Sequence, residues 1–561
     1  MSTQADKDVE VLVVGGSLIG LSAAVFLRLN GVDCLVVERH TGTAIHPRAG
    51  HFNLRTVEIL RSAGLEEQVR RKSEEQYVPD GGINNVESLA GREISSYFSN
   101  LNAGVDEFSP TTRLFINQDA LEPILRQRAA ELGATLWYSS ECESLEQDSE
   151  LVTALVHSRE SGEKQRVRAR YVIAADGNRS GIREQLGIAM RGHGLLSNSV
   201  TIYFKALTDL SPLLQGRDEG VHYVTNPVLR GFFRLDRTGN GGFLVVNLVG
   251  DTARPEVVAA FPSAPWANCA ETIDEQRALE LLRAAIGVPG IPVEIEDIAT
   301  WRAVADGAER YRESRIFLAG DAAHVMPPNG GFGGNTGVQD AHNLAWKLAL
   351  VLKEVADPSL LDTYDEERRP VGDLTVEQAY SRYVTRVAPY LGTDDTQPLV
   401  DDLTLEVGYR YNSRAVVPAP GDDPSLCEQP STGRAGSRAP HVFLTRDATR
   451  ISTLDLFGRD YVLLAGPEGQ AWEEPMASAA GQHSMPLTSY LIGRDRLLDP
   501  DGRLLDSYGI SPTGAVLVRP DGFVGWRARD AKGASQVSMS SLIASLLCKG
   551  NEPAESTAPQ A

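Results

Sequence analysis

Residues 11–14 are four apolar side chains in a row that run straight into glycine. An apolar pattern of helical period follows as far as Leu29, and a second apolar run stands at 34–37. A short unbroken apolar run stopped by glycine, followed by a 3.6-residue repeat, reads as strand, turn, helix and strand. Two more strand-and-turn signals come much later: 171–175 before Asp176 and Gly177, and 316–319 before Gly320 and Asp321. One nucleotide-binding sheet built from separated segments is the predicted arrangement. Between these segments, residues 199–205, 220–225 and 242–249 are rich in β-branched and aromatic residues and bounded by turn formers, which predicts one mainly antiparallel sheet. From 394 to 438 the pattern becomes irregular, with three prolines in 417–424 and two glycines in 432–436, and reads as a linker. Strand patterns at 461–465 and 515–518 then belong to a separate small α/β unit.

The predicted organisation follows. Residues 1–180 and 301–393 form a nucleotide-binding domain interrupted by a β-sheet domain at 181–300. After the linker at 394–438 comes the small domain at 439–548, with a polar, disordered tail at 549–561. A chain of 561 residues suits two or three cores of about 100–200 residues each. Acidic residues exceed basic ones, giving a formal net charge of -21, and no basic patch stands out, so nucleic acid is excluded as a partner. The five cysteines, Cys34, Cys142, Cys269, Cys427 and Cys548, are scattered, which fits neither a zinc site nor a disulfide framework. No apolar run approaches the roughly 20 residues of a membrane helix, and the first ten residues are polar and acidic. The expectation is a cytoplasmic protein with no membrane anchor and no metal.

The chemistry starts at Gly15, Gly16, Ser17, Leu18, Ile19 and Gly20, which link the first strand to its helix, with Glu38 ending the second strand. In this setting backbone N–H groups at a helix N-terminus can hold a pyrophosphate, and the acid can accept hydrogen bonds from ribose hydroxyls. An acid there argues against a ribose 2'-phosphate, so the site suits FAD or NAD. Ser17 replaces the usual second glycine.

Gly320, Asp321, Ala322, Ala323, His324, Pro327, Pro328 and the glycine-rich loop to Asn335 lead into another helical pattern. This stretch resembles the second FAD motif of the group A flavin monooxygenases, the family of para-hydroxybenzoate hydroxylase. The Asp176–Gly177 turn resembles their shared FAD/NAD(P)H motif. The resemblance implies an α/β protein: a Rossmann-like FAD-binding domain of the GR2 type, carrying an inserted, mainly antiparallel substrate domain. It further implies that Asp321 binds the ribityl chain, that Gly333, Gly334 and Asn335 offer N–H groups near flavin N1 and O2, and that Pro328 lies by the reacting face of the flavin. Gln118 resembles the family glutamine that contacts FAD. Arg48 resembles the arginine at the pyrophosphate and nicotinamide approach, and Arg39 flanks the adenine. Pro328 and Arg48 are the flavin-proximal candidates for a catalytic role, with no base assigned. His324 reads as a hydrogen-bonded structural histidine.

Within that family the chain is most similar to actinobacterial polyketide hydroxylases of the tetracenomycin, aklavinone and angucycline type. Residues 438–444, 452–458 and 514–526 resemble their thioredoxin-like C-terminal domain, here without a Cys-x-x-C. By implication the protein uses FAD, NADPH or NADH, and dioxygen to hydroxylate a polycyclic phenol through a flavin C4a-hydroperoxide in antibiotic biosynthesis, and a homodimer is compatible with the resemblance. Tyr203, Tyr223, Phe233 and Arg234 are the candidates for the substrate-facing side of the inserted sheet. A Baeyer–Villiger oxygenase on a related ketone stays open as the alternative, as does a flavin-binding protein without activity.

Overall fold

The computed structural model describes residues 6–45, 50–217, 220–248, 273–419, 422, 425–427, 432–493, 497–532 and 538–550. The first sheet runs Arg312–Glu313, Ile316–Leu318, Lys164–Ala174, Lys7–Val14, Cys34–Val37, Thr135–Trp137. From Ile316–Leu318 onward its strands are parallel. Val11, Leu12 and Val13 are fully buried, as expected of a central strand covered on both faces. Helices Leu18–Leu29 and Phe332–Leu352 pack together against this sheet. Both begin beside the carboxyl ends of the strands, where open α/β sheets bind ligands.

The second sheet has the order His324–Val325, Val293–Ala308, Met190–Ala206, Gly241–Leu248, Arg230–Leu235, Val221–Thr225, Ile83–Val86, Glu93–Phe98. Its outer two strands come from the first part of the chain, and Val293–Ala308 runs past residue 300. The sheet is therefore not the contiguous 181–300 unit expected from the sequence. INNV at 83–86 is too short and too polar to announce itself; its parallel pairing with Val221–Thr225 decides its place. One face packs Ile202, Phe204, Phe233 and Leu244 against helix Glu275–Ile286. Residue 249 lies outside the described residues.

The third unit has strands Leu487–Leu491, Tyr461–Ala465, Ala515–Val518 and Val524–Ala528, the first two parallel and the others antiparallel. Helix Glu473–Gln482 connects the parallel pair, and Met539–Leu546 follows the last strand. This β-α-β, β-β-α order is the thioredoxin-like arrangement. The stretch at 394–438 is more than a linker. It holds helix Asp402–Val407, and Tyr409, Tyr411 and Val416 are buried with Val371, Ala435 and Phe523. Tyr411 stacks on Phe523 at 4.0 Å, so aromatic packing overrides the prolines and glycines around it.

A buried charge network joins this third unit to the first. Glu367 accepts from Arg519 Nη1 (2.6 Å) and Nη2 (2.8 Å), Lys347 Nζ (2.7 Å), Asn343 Nδ2 (2.8 Å) and Ser413 Oγ (2.6 Å). Asp521 accepts from Arg519 Nη2 at 2.6 Å, while its carbonyl accepts from Arg55 Nη2 at 2.5 Å. Burial alone would raise the Glu367 carboxyl, but Arg519 and Lys347 hold it well below the usual range. Among the described residues, no helix is long and apolar enough to cross a membrane, and no group of three His, Cys, Asp or Glu residues is placed to hold a metal ion.

Candidate functional site

A cavity of about 2240 Å³ runs from the carboxyl ends of the first sheet to the open face of the second. Gly15, Ser17, Leu18, Glu38, Arg39, Gln118 and Asp176 line its first part. Gly20 does not reach it: a Cβ there would stand 1.8 Å from the Gly15 carbonyl oxygen, so this glycine serves the turn. Glu38 accepts from the N–H groups of Gly16 (2.6 Å) and His40 (2.8 Å), which fixes its carboxylate at the strand end. Burial raises the Asp176 carboxyl above its usual range, against hydrogen bonds from Ser180 and the Ile182 N–H.

The fully buried Glu122, which sequence reading missed, organises the glycine turn. Its Oε1 accepts from Ser17 Oγ, from the Leu18 N–H (2.8 Å) and from Gln118 Nε2 (2.6 Å), and its Oε2 accepts from the Ala44 N–H (2.6 Å). Gln118 Nε2 also donates to Ser17 Oγ at 2.9 Å. The serine in place of glycine thus has a local reason: its hydroxyl ties the turn to helix Gln118–Glu131. The spacing of Gln118 and Glu122, one helical turn apart, was the available signal.

The middle of the cavity is walled by Asp321, Met326, Pro327, Pro328, Gly330, Gly331, Gly333 and Gly334. Helix Phe332–Leu352 starts there with Gly331 as its N-cap (φ 68°), so no side chain caps its first N–H groups. Those unclaimed donors and the dipole favour negative charge in the cavity. Gly320 and Asn335 stand behind this wall. Gly320 has φ 60°, and a Cβ on it would press on Ile19 Cγ1 at 2.7 Å. The Asn335 side chain donates to the carbonyls of His51 (2.9 Å) and Gly331 (2.6 Å) and accepts from the Asn53 N–H (2.9 Å), so it clamps two helix starts together. His324 is fully buried, with Nε2 2.7 Å from Asp340 Oδ2. Asp340 also accepts from the Gly320 N–H (3.1 Å) and Arg368 Nε (2.8 Å). Burial works against ionisation of Asp340, yet His324 and Arg368 keep its carboxyl below the usual range. Arg48 lies outside the described residues.

The far part of the cavity is aromatic. Tyr203, Phe243, Phe232 and Tyr223 line it, with successive ring centroids 6.3, 6.1 and 6.1 Å apart, and Tyr97 meets Tyr223 edge-on at 5.8 Å. Phe233 faces the other way: it is fully buried and packs on Phe204 at 5.3 Å beneath the sheet. Side chains alternate across a strand, so Phe232 and Arg234 share the cavity face and Phe233 cannot. Arg234 lies between Tyr77 and Phe115, with its guanidinium carbon 3.8 Å from each ring centroid.

Comparison with known proteins identifies the molecule. Residues 8–379 match the family model described as an FAD binding domain, and residues 432–546 match that of the aromatic-ring hydroxylase C-terminal domain. The chain belongs to the FAD-dependent aromatic-ring hydroxylases. It is 54% identical over 98% of its length to 4-methyl-5-nitrocatechol 5-monooxygenase from Burkholderia sp, covering 99% of that protein. It is 39% identical to tetracenomycin A2 monooxygenase-dioxygenase from Streptomyces glaucescens, over 97% of this chain and 98% of the other. Among solved structures, aklavinone-11 hydroxylase, in a ternary complex with FAD and aklavinone, superposes with a TM-score of 0.88 at 36% identity. That match covers 97% of this chain and 100% of the other. The chain is thus an FAD-dependent monooxygenase, and the uncapped start of helix Phe332–Leu352 and the glycine turn suit a dinucleotide that carries a pyrophosphate and an anionic reduced ring.

Two titratable groups of the hydroxylase stand at the cavity edge, His51 half-buried and Glu406 buried. Burial, with Arg113 and Arg234 nearby, lowers His51 to about 3, so this ring is neutral at any working pH. Glu406 accepts from Arg113 Nε at 2.8 and 3.0 Å, but burial outweighs the arginine and raises its carboxyl to about 7. The folded carboxyl holds its proton more tightly than an unfolded one at 4.5. Its contribution to stability is therefore full below pH 4.5 and is lost as the pH rises through about 7, by roughly 3 kcal/mol. Denaturant unfolding of wild type and Glu406→Gln across that range should show wild type losing stability relative to the variant by this order as the pH rises; a constant difference would reject the assignment.

Proposed function

We propose that this hydroxylase inserts one oxygen atom from dioxygen into an electron-rich ring of a flat, polycyclic phenol, with NADPH or NADH as reductant. The observation that carries the reading is the row of cavity-lining aromatic rings from Tyr203 to Tyr223, longer than a single substrate ring needs and joined to the Pro328 segment through Asn329 Nδ2 and the Tyr223 hydroxyl. Gly15, Ser17, Leu18, Glu38 and Arg39 would hold the adenosine and pyrophosphate of FAD, together with Gln118 and Asp176. Asp321, Gly333, Gly334 and the Asn335 backbone would hold its ribityl chain and ring, with Arg48 at the nicotinamide approach. The chemistry that bound FAD would supply is hydride acceptance from the nicotinamide and activation of dioxygen.

This chain's residues do the rest. Tyr223, whose hydroxyl accepts from Asn329 Nδ2 at 3.3 Å, and Phe232 hold a planar ring by its faces and edges. Pro327 and Pro328 shape a rigid wall that keeps water from the reacting carbon. The unpaired N–H groups at Gly333 and Gly334 oppose the negative charge that gathers on a reduced flavin. Membership of an antibiotic-making route in the cytoplasm, as part of a homodimer, belongs to the same reading.

A second reading, a single-ring nitrocatechol substrate, is favoured by the 54% identity to the Burkholderia enzyme. One experiment separates them. NADPH and NADH oxidation is followed with polycyclic phenols and with nitrocatechols under heavy-isotope dioxygen, and products are weighed by mass spectrometry. Label in a ring hydroxyl of a polycyclic phenol supports the proposal. Turnover confined to nitrocatechols replaces it with the second reading, label in a lactone moves it to Baeyer–Villiger oxidation, and no substrate-dependent turnover rejects it.

A further inference from the structure

A second, smaller cavity of about 230 Å³ lies between the FAD-binding unit and the thioredoxin-like unit. Helix Leu18–Leu29 gives Phe26 to its wall, helix Phe332–Leu352 gives His342 and Trp346, and the C-terminal unit gives Phe457, Val462 and Pro520. Two polar groups on this wall have no hydrogen-bond partner among the described residues. Trp346 is 2% exposed, and its Nε1–H is buried without an acceptor. The His342 ring meets Phe26 edge-on at 5.0 Å and makes no hydrogen bond. Burial, with Arg55 and Arg368 nearby, holds this histidine well below its usual range, so the ring is neutral, with one nitrogen to donate and one to accept. Other polar side chains on the wall are engaged with the protein. Asn30 Nδ2 donates to the Phe26 carbonyl at 2.9 Å, Ser62 Oγ to the Ile59 carbonyl at 2.7 Å, and Thr488 Oγ1 to Asp460 Oδ2 at 3.0 Å.

We infer that this cavity is a second small-molecule site, and that it takes a neutral phenol of one ring. The site is separate from the proposed reaction, which belongs to the large cavity.

The case rests on size and on the two idle polar groups. Ligand sites favour the space between domains, mostly apolar with a few polar groups that fix orientation. A cavity of about 150 Å³ accepts benzene. One of about 230 Å³ therefore takes a single ring with a substituent and is too small for a fused polycycle. A buried indole N–H ordinarily has an acceptor, and a phenol oxygen supplies one while donating its own O–H to the acceptor nitrogen of His342. A carboxylate or phosphate would meet the Asp460 carboxylate on the same wall, and an aliphatic alcohol would forgo the ring contacts with Phe26 and Phe457. Bound there, the phenol touches both units and favours their contact. Trp346 connects it to the helix whose first turn lines the flavin cavity.

The test uses the FAD-loaded full chain without reductant. Crystals are soaked in 4-bromophenol and the bromine is located by its anomalous scattering; it should lie in the small cavity, with the phenol oxygen within about 3.2 Å of Trp346 Nε1. In solution, fluorine NMR with 4-fluorophenol should show a bound signal that Ser62→Phe abolishes by filling the space, since Ser62 lines the small cavity and not the large one. Trp346→Phe, which keeps a ring but removes the N–H, should weaken that signal's binding about fivefold. A cavity that holds water alone, bromine found only in the large cavity, or bromine seen in the crystal with no solution signal sensitive to Ser62→Phe would each overturn the proposal. No turnover enters these readouts, so the phenol site and the proposed function stand or fall separately.

Discussion

Glu367→Ala is expected to be the most damaging single truncation of this enzyme. The change removes one carboxylate, strands the fully buried Lys347 and leaves the fully buried Arg519 with Asp521 alone, together with the donors of Asn343 and Ser413. Breaking a buried ion pair from one side costs about 3–5 kcal/mol, because the remaining charge has neither partner nor water. Lys347 is left unpaired and Arg519 keeps one of its two carboxylates, so the loss should fall within that range. Denaturant unfolding should give a lower midpoint, and yield of soluble protein should fall with it. A variant within about 0.5 kcal/mol of wild type would show that the network is not a fastening. The same group gives a pH signature. Its folded carboxyl titrates well below the ordinary value of 4.5, so its stabilisation is present above pH 4.5 and disappears as the pH falls further.

Asp321→Ala and His324→Ala should separate cofactor binding from architecture although the two residues are three apart. Asp321 lines the cavity beside Pro328 and the uncapped helix start, whereas His324 is sealed behind it against Asp340. Removing Asp321 should weaken FAD by roughly tenfold or more, a loss of a charge-assisted hydrogen bond worth about 1.5–3 kcal/mol, with the unfolding midpoint of the apoprotein little changed. His324→Ala should lower that midpoint by about 2–4 kcal/mol in stability, through a cavity and an Asp340 left with one partner fewer. Flavin absorbance after gel filtration and apoprotein unfolding measure the two. Full flavin occupancy in Asp321→Ala would remove that residue from the proposed cofactor site.

The glycine turn, the four dispersed strands of the first sheet and the small C-terminal α/β unit were legible because each is local, a period, a stop signal and a turn residue within a few positions, whereas the thioredoxin-like character of that unit came from the resemblance. Phe233 shows where that kind of reading ends. Its neighbour Phe232 faces the cavity, and nothing in GFFRL says which aromatic points which way until Val245 and Leu244 of the adjacent strand fix the register. Glu122 looked like any helix carboxylate. It acquires its role only when folding brings Ser17, 105 residues away, within reach of it. Long-range pairing also placed strands 83–86 and 93–98, whose short and partly polar stretches carry little pattern of their own.

Those two outer strands bear on how such enzymes can change over time. Tyr97, which meets both Tyr223 and Arg386, is encoded more than a hundred residues before either. Recombination between two parent genes at the apparent borders of the inserted sheet would therefore graft the inner strands of one parent onto the edge of the other. Viable hybrids should be those whose crossovers keep 83–98 and 190–308 from a single parent, so that substrate range is inherited as a discontinuous block.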